Sequence, residues 1–143
     1  MTHASLPPAP PVTRALEVAL YAEDLEACAA FYEHVLGLAR GPEVTGRHIF
    51  FRLGEGMLLL FNPTASAVPG GNAALPVPPH GTHGPGHLCF AAERRAIAAW
   101  KARLIACGVA IEAEFDWPNG ARSLYVRDPA GNSIEFAEPA LWR

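Results

Sequence analysis

The sequence predicts an α+β domain of two tandem βαβββ modules, forming a curved mixed sheet around a cleft with the helices outside. Three observations carry this. The order strand, helix, strands occurs twice along the 143 residues. A stretch rich in Pro, Gly, Ala and Asn separates the copies. In each copy the apolar residues alternate, so one strand face is left for another purpose.

The elements follow in order. Residues 1–13 hold four prolines and little periodicity and are expected to form a flexible tail. Residues 14–22 alternate, with Leu16, Val18 and Leu20 on one face, and read as a strand. Asp24 suits an N-cap. Leu25, Cys28, Tyr32 and Val35 or Leu36 share a helical face, and Gly37 suits the C-cap. Residues 40–47 are turn-rich. His48–Leu53 and Met57–Phe61 read as strands joined by a hairpin through Gly54-Glu55-Gly56. Module one is therefore placed at 14–62 and a linker at 63–85. In module two, at 86–138, His87–Glu93 repeats the pattern of Glu17–Glu23. A second helix puts Ile97, Trp100, Leu104 and Cys107 on one face and ends at Gly108. Val109–Phe115, Ser123–Arg127 and Ser133–Ala137 close the plan, leaving a short C-terminal tail at 139–143.

Composition narrows the function classes. Half of the residues are hydrophobic and 17% are charged, which describes a globular chain with one real core. A net charge of −3 supplies no basic patch, so nucleic acid is not an expected partner. No apolar run has membrane-spanning length, and the N-terminus lacks a signal-peptide pattern. Cys28, Cys89 and Cys107 are odd in number and show no C-x-x-C spacing. They are expected to be packed, reduced thiols in a cytoplasmic protein.

The most informative stretch is Arg127–Phe136. Asp128-Pro129-Ala130-Gly131 fits a type I turn, with Asp at i, Pro at i+1 and Gly at i+3. The strand that follows puts Ile134 and Phe136 on one face and Glu135 on the other. By the same parity Glu17 and His87 point away from the core, into the cleft. Two carboxylates and an imidazole suit Fe(II), Mn(II), Ni(II), Co(II) or Zn(II), and three protein ligands leave positions open for substrate. Against this stands the common fate of a polar strand residue, a structural hydrogen bond. Three such residues in register favour the metal, with Glu135 also a candidate base.

Leu25-Glu26-x-x-x-x-Phe31-Tyr32-x-x-Val35-Leu36-Gly37-Leu38, Gly86-His87-Leu88-Cys89-Phe90 and Asp128–Glu135 together resemble the vicinal oxygen chelate superfamily of glyoxalase I, extradiol dioxygenases and bleomycin- and fosfomycin-resistance proteins. The resemblance runs over about residues 14–138. It implies metal ligands at four equivalent strand positions. Glu17 stands at the first, Leu59 at the second, His87 at the third and Glu135 at the fourth. Leu59 cannot bind a metal, so the set is reduced to three, like the facial set of extradiol dioxygenases with Glu17 in place of a histidine. The implied activity is metal-dependent chemistry on a small substrate with vicinal oxygens, dioxygenase-like in the first instance. The alternatives are a glyoxalase I-like lyase or isomerase, and a non-catalytic binding protein of the antibiotic-sequestering kind. The resemblance also implies a homodimer, with ligands drawn from one chain or from both.

Other residues complete the expectations. His80, His83 and His87 form H-x-x-H-x-x-x-H, and the first two read as linker residues near the cleft mouth, available as ligands or proton shuttles. Tyr21, Phe51, Leu59, Phe61, Cys89, Trp117 and Tyr125 are candidates for the pocket wall. Arg52, Arg122 and Arg127 are candidates for gripping an anionic group. No Ser-His-Asp order, phosphate loop or dinucleotide fingerprint is present.

Overall fold

Alternation along two parallel-paired strands sets the architecture. The computed structural model describes residues 5–143. In module one, β1 (Glu17–Tyr21) lies parallel to β4 (Gly56–Phe61), followed by β3 (His48–Leu53) and β2 (Arg40–Val44). In module two, β5 (His87–Ala91) lies parallel to β8 (Ser133–Ala137), followed by β7 (Arg122–Arg127) and β6 (Ala113–Asp116). The predicted curved sheet is thus built as two four-stranded halves of order β1-β4-β3-β2 and β5-β8-β7-β6. The parallel pairs need crossovers, supplied by α1 (Leu25–Ala30), which widens into a π turn over Phe31–Val35, and by α3 (Arg94–Ala106). The short helix between them, α2 (Pro63–Ser66), is capped by Asn62 at the start of the linker.

The local signals act as expected at several ends. Asp24 accepts from the Ala27 N–H and caps α1. Gly37 takes φ +73° where the first helix stops, a conformation that a side chain would resist. One apolar cluster runs through both modules. Leu20, Cys28, Tyr32, Phe51, Leu58 and Leu60 contribute from the first, and Ile97, Leu104, Leu124, Val126 and Ile134 from the second.

Several expectations are corrected. Residues 40–47 are largely strand rather than turn. Pro42 disguises β2, and it is tolerated because β2 is an edge strand, with its register shifting between Arg40 and Glu43. Leu16 is 65% exposed, because β1 begins one residue later. Cys107 is exposed at the C-cap of α3 and does not join Ile97 and Leu104 in the core. The strand predicted from Val109 begins at Ala113. Residues 139–143 carry a 3₁₀ turn, Pro139–Trp142. The first four residues of the predicted tail lie outside the described residues, and 5–13 are exposed without regular structure.

The hairpin between β7 and β8 does more than turn the chain. The Gly131 N–H closes it onto the Asp128 carbonyl at 2.9 Å, with Gly131 at φ +87°. The Asp128 carboxylate is buried. It accepts from the N–H groups of Ala130 and Asn132 (2.9 Å each), from the Asn132 side-chain amide (2.8 Å) and, across the module boundary, from Tyr32 Oη (2.6 Å) and Cys28 Sγ (3.3 Å). Burial, and then the Asp128 charge, push the Tyr32 hydroxyl and the Cys28 thiol well above their usual ranges. Asn132 adds a second tie, donating to the Tyr21 carbonyl at 3.2 Å while accepting from the Gly86 N–H at 2.8 Å. Arg103 of α3 adds a third by donating to the carbonyls of His34 and Val35 at the end of the first helix.

Candidate active site

The sheet face away from the core is the place to look for chemistry. Register fixes what it presents. Across module two, Cys89, Glu135, Tyr125 and Ala113 form one row. The flanking rows are His87-Ser133-Arg127 and Ala91-Ala137-Ser123-Phe115. Across module one the equivalent rows are Glu17-Met57-Arg52, Ala19-Leu59-Phe50 and Tyr21-Phe61-His48.

Glu135 is only 5% exposed, yet both of its oxygens are engaged. Ser123 Oγ donates to Oε2 at 2.5 Å, and Trp117 Nε1 donates to Ser123 Oγ at 2.8 Å. On the other side His87 Nε2 stands 3.2 Å from Oε1. The second ring nitrogen of His87, Nδ1, lies 3.1 Å from the Ser133 carbonyl. A carbonyl only accepts, so Nδ1 carries a proton. In the neutral imidazole Nε2 is then a bare lone pair facing a carboxylate oxygen. Two acceptors side by side need a cation between them, either a proton on Nε2 or a metal ion. A histidine held by a carbonyl and a carboxylate held by a hydroxyl are the outer partners that metal ligands commonly have, so the surroundings of this pair fit two ligands of a divalent ion.

The neighbours tune this pair. The Tyr125 hydroxyl is pushed up to about 12 by burial and by its hydrogen bond to Glu135, and remains a donor at neutral pH. Cys89 is exposed as a residue, but partial desolvation of its sulfur, followed by the Glu135 charge, raises the thiol to about 12. It is therefore a protonated thiol and not a nucleophile.

The structure sorts the remaining candidates. Glu17 is exposed on β1, and among the described residues no group of three His, Cys, Asp or Glu side chains converges, so Glu17 does not join His87 and Glu135 within one chain. The three linker-end histidines separate. His80 Nδ1 meets Tyr21 Oη at 2.7 Å, His83 Nδ1 meets Glu23 at 3.3 Å, and His87 meets Glu135. Phe51 is no pocket wall. It is fully buried against Tyr32, because Ile49 and Phe51 take the core parity of β3 and leave His48, Phe50 and Arg52 on the open face. Leu59, Phe61 and Tyr21 do lie on that open face. Arg122 is bound to Glu114 and Asp116, and Arg127 to Glu112, so neither is free to grip a substrate. Arg52 forms no ion pair among the described residues. Ser123 was missed from sequence, and Trp117, expected as pocket wall, is found donating to it. The signal available was parity: Ser123 is two residues from Tyr125, which pairs with Glu135, and so lies diagonally within reach of that carboxylate.

Comparison with known proteins agrees with this reading of the fold. A family model for the Glyoxalase/Bleomycin resistance protein/Dioxygenase superfamily matches residues 14–136. The chain belongs to that superfamily. Among solved structures it is similar to a lactoylglutathione lyase from Agrobacterium tumefaciens, at 44% identity over 93% of this chain and 98% of that one, with a TM-score of 0.88. It is also similar to a virulence protein from Salmonella typhimurium, at 25% identity over 89% and 97% of the two chains with a TM-score of 0.66. A fosfomycin resistance protein from Listeria monocytogenes shares the fold alone, at 16% identity over 87% and 90%, TM-score 0.65. No curated protein matches the chain.

Proposed function

We propose that the chain is a metal-dependent lyase or isomerase of the glyoxalase I kind, acting on a small substrate with vicinal oxygens. The carrying observation is the 3.2 Å approach of His87 Nε2 to Glu135 Oε1, with Nδ1 committed to a carbonyl. The 44%-identical lactoylglutathione lyase moves support from the dioxygenase-like chemistry first expected to this alternative.

His87, Glu135 and Glu17 would hold the ion, Glu17 coming from a second copy of the chain in a homodimer. The ion, when bound, would polarise the substrate's vicinal oxygens as a Lewis acid. Glu135 carries a proton from one substrate carbon to its neighbour, accepting and returning it at the carboxylate. Tyr125 walls the site, and His87 is kept in one tautomer by Ser133. No helix among the described residues is long and apolar enough to cross a membrane.

The test is turnover of the methylglyoxal–glutathione adduct by protein loaded with Ni or Zn. Thioester formation is expected, and Glu135→Gln should lower the rate about 10²–10⁴-fold. Oxygen uptake with a catechol and no reaction with the adduct would restore the dioxygenase reading. Absence of bound metal together with no turnover of either substrate would reject both.

A further inference from the structure

We propose that Trp117 and Ser123 are positioning residues that decide which oxygen of Glu135 does the chemistry. The inference rests on the reading of Glu135 as ligand and proton carrier, and adds a device to it.

The argument is one of donors and acceptors. An indole N–H can only donate. Trp117 Nε1 lies 2.8 Å from Ser123 Oγ, so Ser123 receives a proton there and its own hydroxyl hydrogen is directed elsewhere. Of its two polar neighbours, the Tyr125 hydroxyl and Glu135, the charged one is at hydrogen-bond distance, with Oε2 at 2.5 Å. The relay thus has a fixed polarity, running from indole to hydroxyl to carboxylate. Oε2 is held as an acceptor of a short, charge-assisted hydrogen bond. A proton arriving at Glu135 is refused at Oε2 and directed to Oε1, the oxygen beside His87. Oε1 would then be the oxygen left free for the proton, on a carboxylate that would also help to hold the ion.

The geometry is built to hold this polarity. Ser123 is fully buried, so water does not compete for its hydroxyl. Trp117 leaves β6 in a turn closed by bonds between Trp117 and Ala121 and between Gly120 and Trp117. Asn119 in that turn donates to the carbonyls of Ala140 and Leu141, so the C-terminal 3₁₀ turn braces the loop that aims the indole. Phe115 packs edge-on against the Trp117 ring at 4.9 Å.

The test uses Ser123→Ala, Trp117→Phe and the double variant in the full-length protein. Each single variant is expected to weaken Zn or Ni binding, measured calorimetrically with the metal alone, and to lower kcat by about ten- to a hundredfold with little change in KM. Trp117 acts only through Ser123, so adding Trp117→Phe to Ser123→Ala should cost nothing more. Independent, multiplying losses would mean the two residues act by packing, and would overturn the relay. So would wild-type metal affinity and kcat in folded single variants. The infrared carboxylate band of Glu135, identified by its loss in Glu135→Gln, gives a readout that needs neither metal nor substrate. If Trp117→Phe shifts that band while the wild type binds no metal, the proposed function fails and the relay stands. An unmoved band with a functional wild type sinks the relay alone.

Discussion

The two modules close a hairpin in the same place and use it to different ends. In module one the hairpin through Gly54 and Glu55 lies at the surface, where Glu55 meets Arg14 in an exposed ion pair. In module two the equivalent hairpin buries Asp128 against Tyr32 and Cys28 of the other module. The strands that leave these hairpins differ in step with them. β4 leaves the surface hairpin and carries Leu59; β8 leaves the buried one and carries Glu135 at the matching register position. The site's demanding residue stands on the strand whose start is held from both sides. Register matters there, since a slip of one residue would put Ile134 in place of Glu135.

The comparison can be broken at its strongest point first. Asp128→Ala strands the Tyr32 hydroxyl and the Asn132 backbone N–H in the core. It is expected to cost about 3 kcal/mol in urea unfolding, and to weaken metal binding at Glu135 although it touches no ligand. A loss of stability with metal affinity intact would separate the latch from the site.

A pH dependence comes next. The native state holds the Cys28 and Tyr32 protons to higher pH than the unfolded chain, whose groups titrate near 9.0 and 10.0. The unfolded state therefore binds fewer protons in that range. This contribution to stability is fully present below the lower value and is lost as pH rises above it, by up to about 1.4 kcal/mol per group per pH unit. Replacing both by Ala and Phe should flatten the alkaline limb of stability against pH. An unchanged slope would remove these two groups as its cause.

The smallest effect is the control. Glu55→Ala removes the acidic residue of the surface hairpin and should change stability by no more than about 0.5 kcal/mol, as exposed pairs do. A larger loss would erase the contrast between the hairpins.

Sequence patterns reached the duplicated plan because alternation and helical spacing are local. They reached Glu17, His87 and Glu135 as a parity class for the same reason. They could not say that His87 and Glu135 meet while Glu17 stays apart, because that depends on how the modules are set against each other. Phe51 was misassigned because an aromatic on a strand reads alike on either face. β2 was hidden because its glycine and proline carry turn propensity, and only the edge position makes them compatible with a strand. Asp128 was read as turn chemistry, correctly, but its link to Tyr32 spans 96 residues. No local pattern reports a contact of that range.

Pro42 has a consequence for the molecule in crowded solution. It lies on β2, an outer rim of the first sheet, and its nitrogen carries no hydrogen to donate to another strand. The missing donor and the shifted register make that rim a poor template for runaway strand addition. A second copy is thereby discouraged from growing the sheet sideways. The rim is thereby kept apart in role from the open faces, which display Glu17 and Leu59 in one module and His87 and Glu135 in the other.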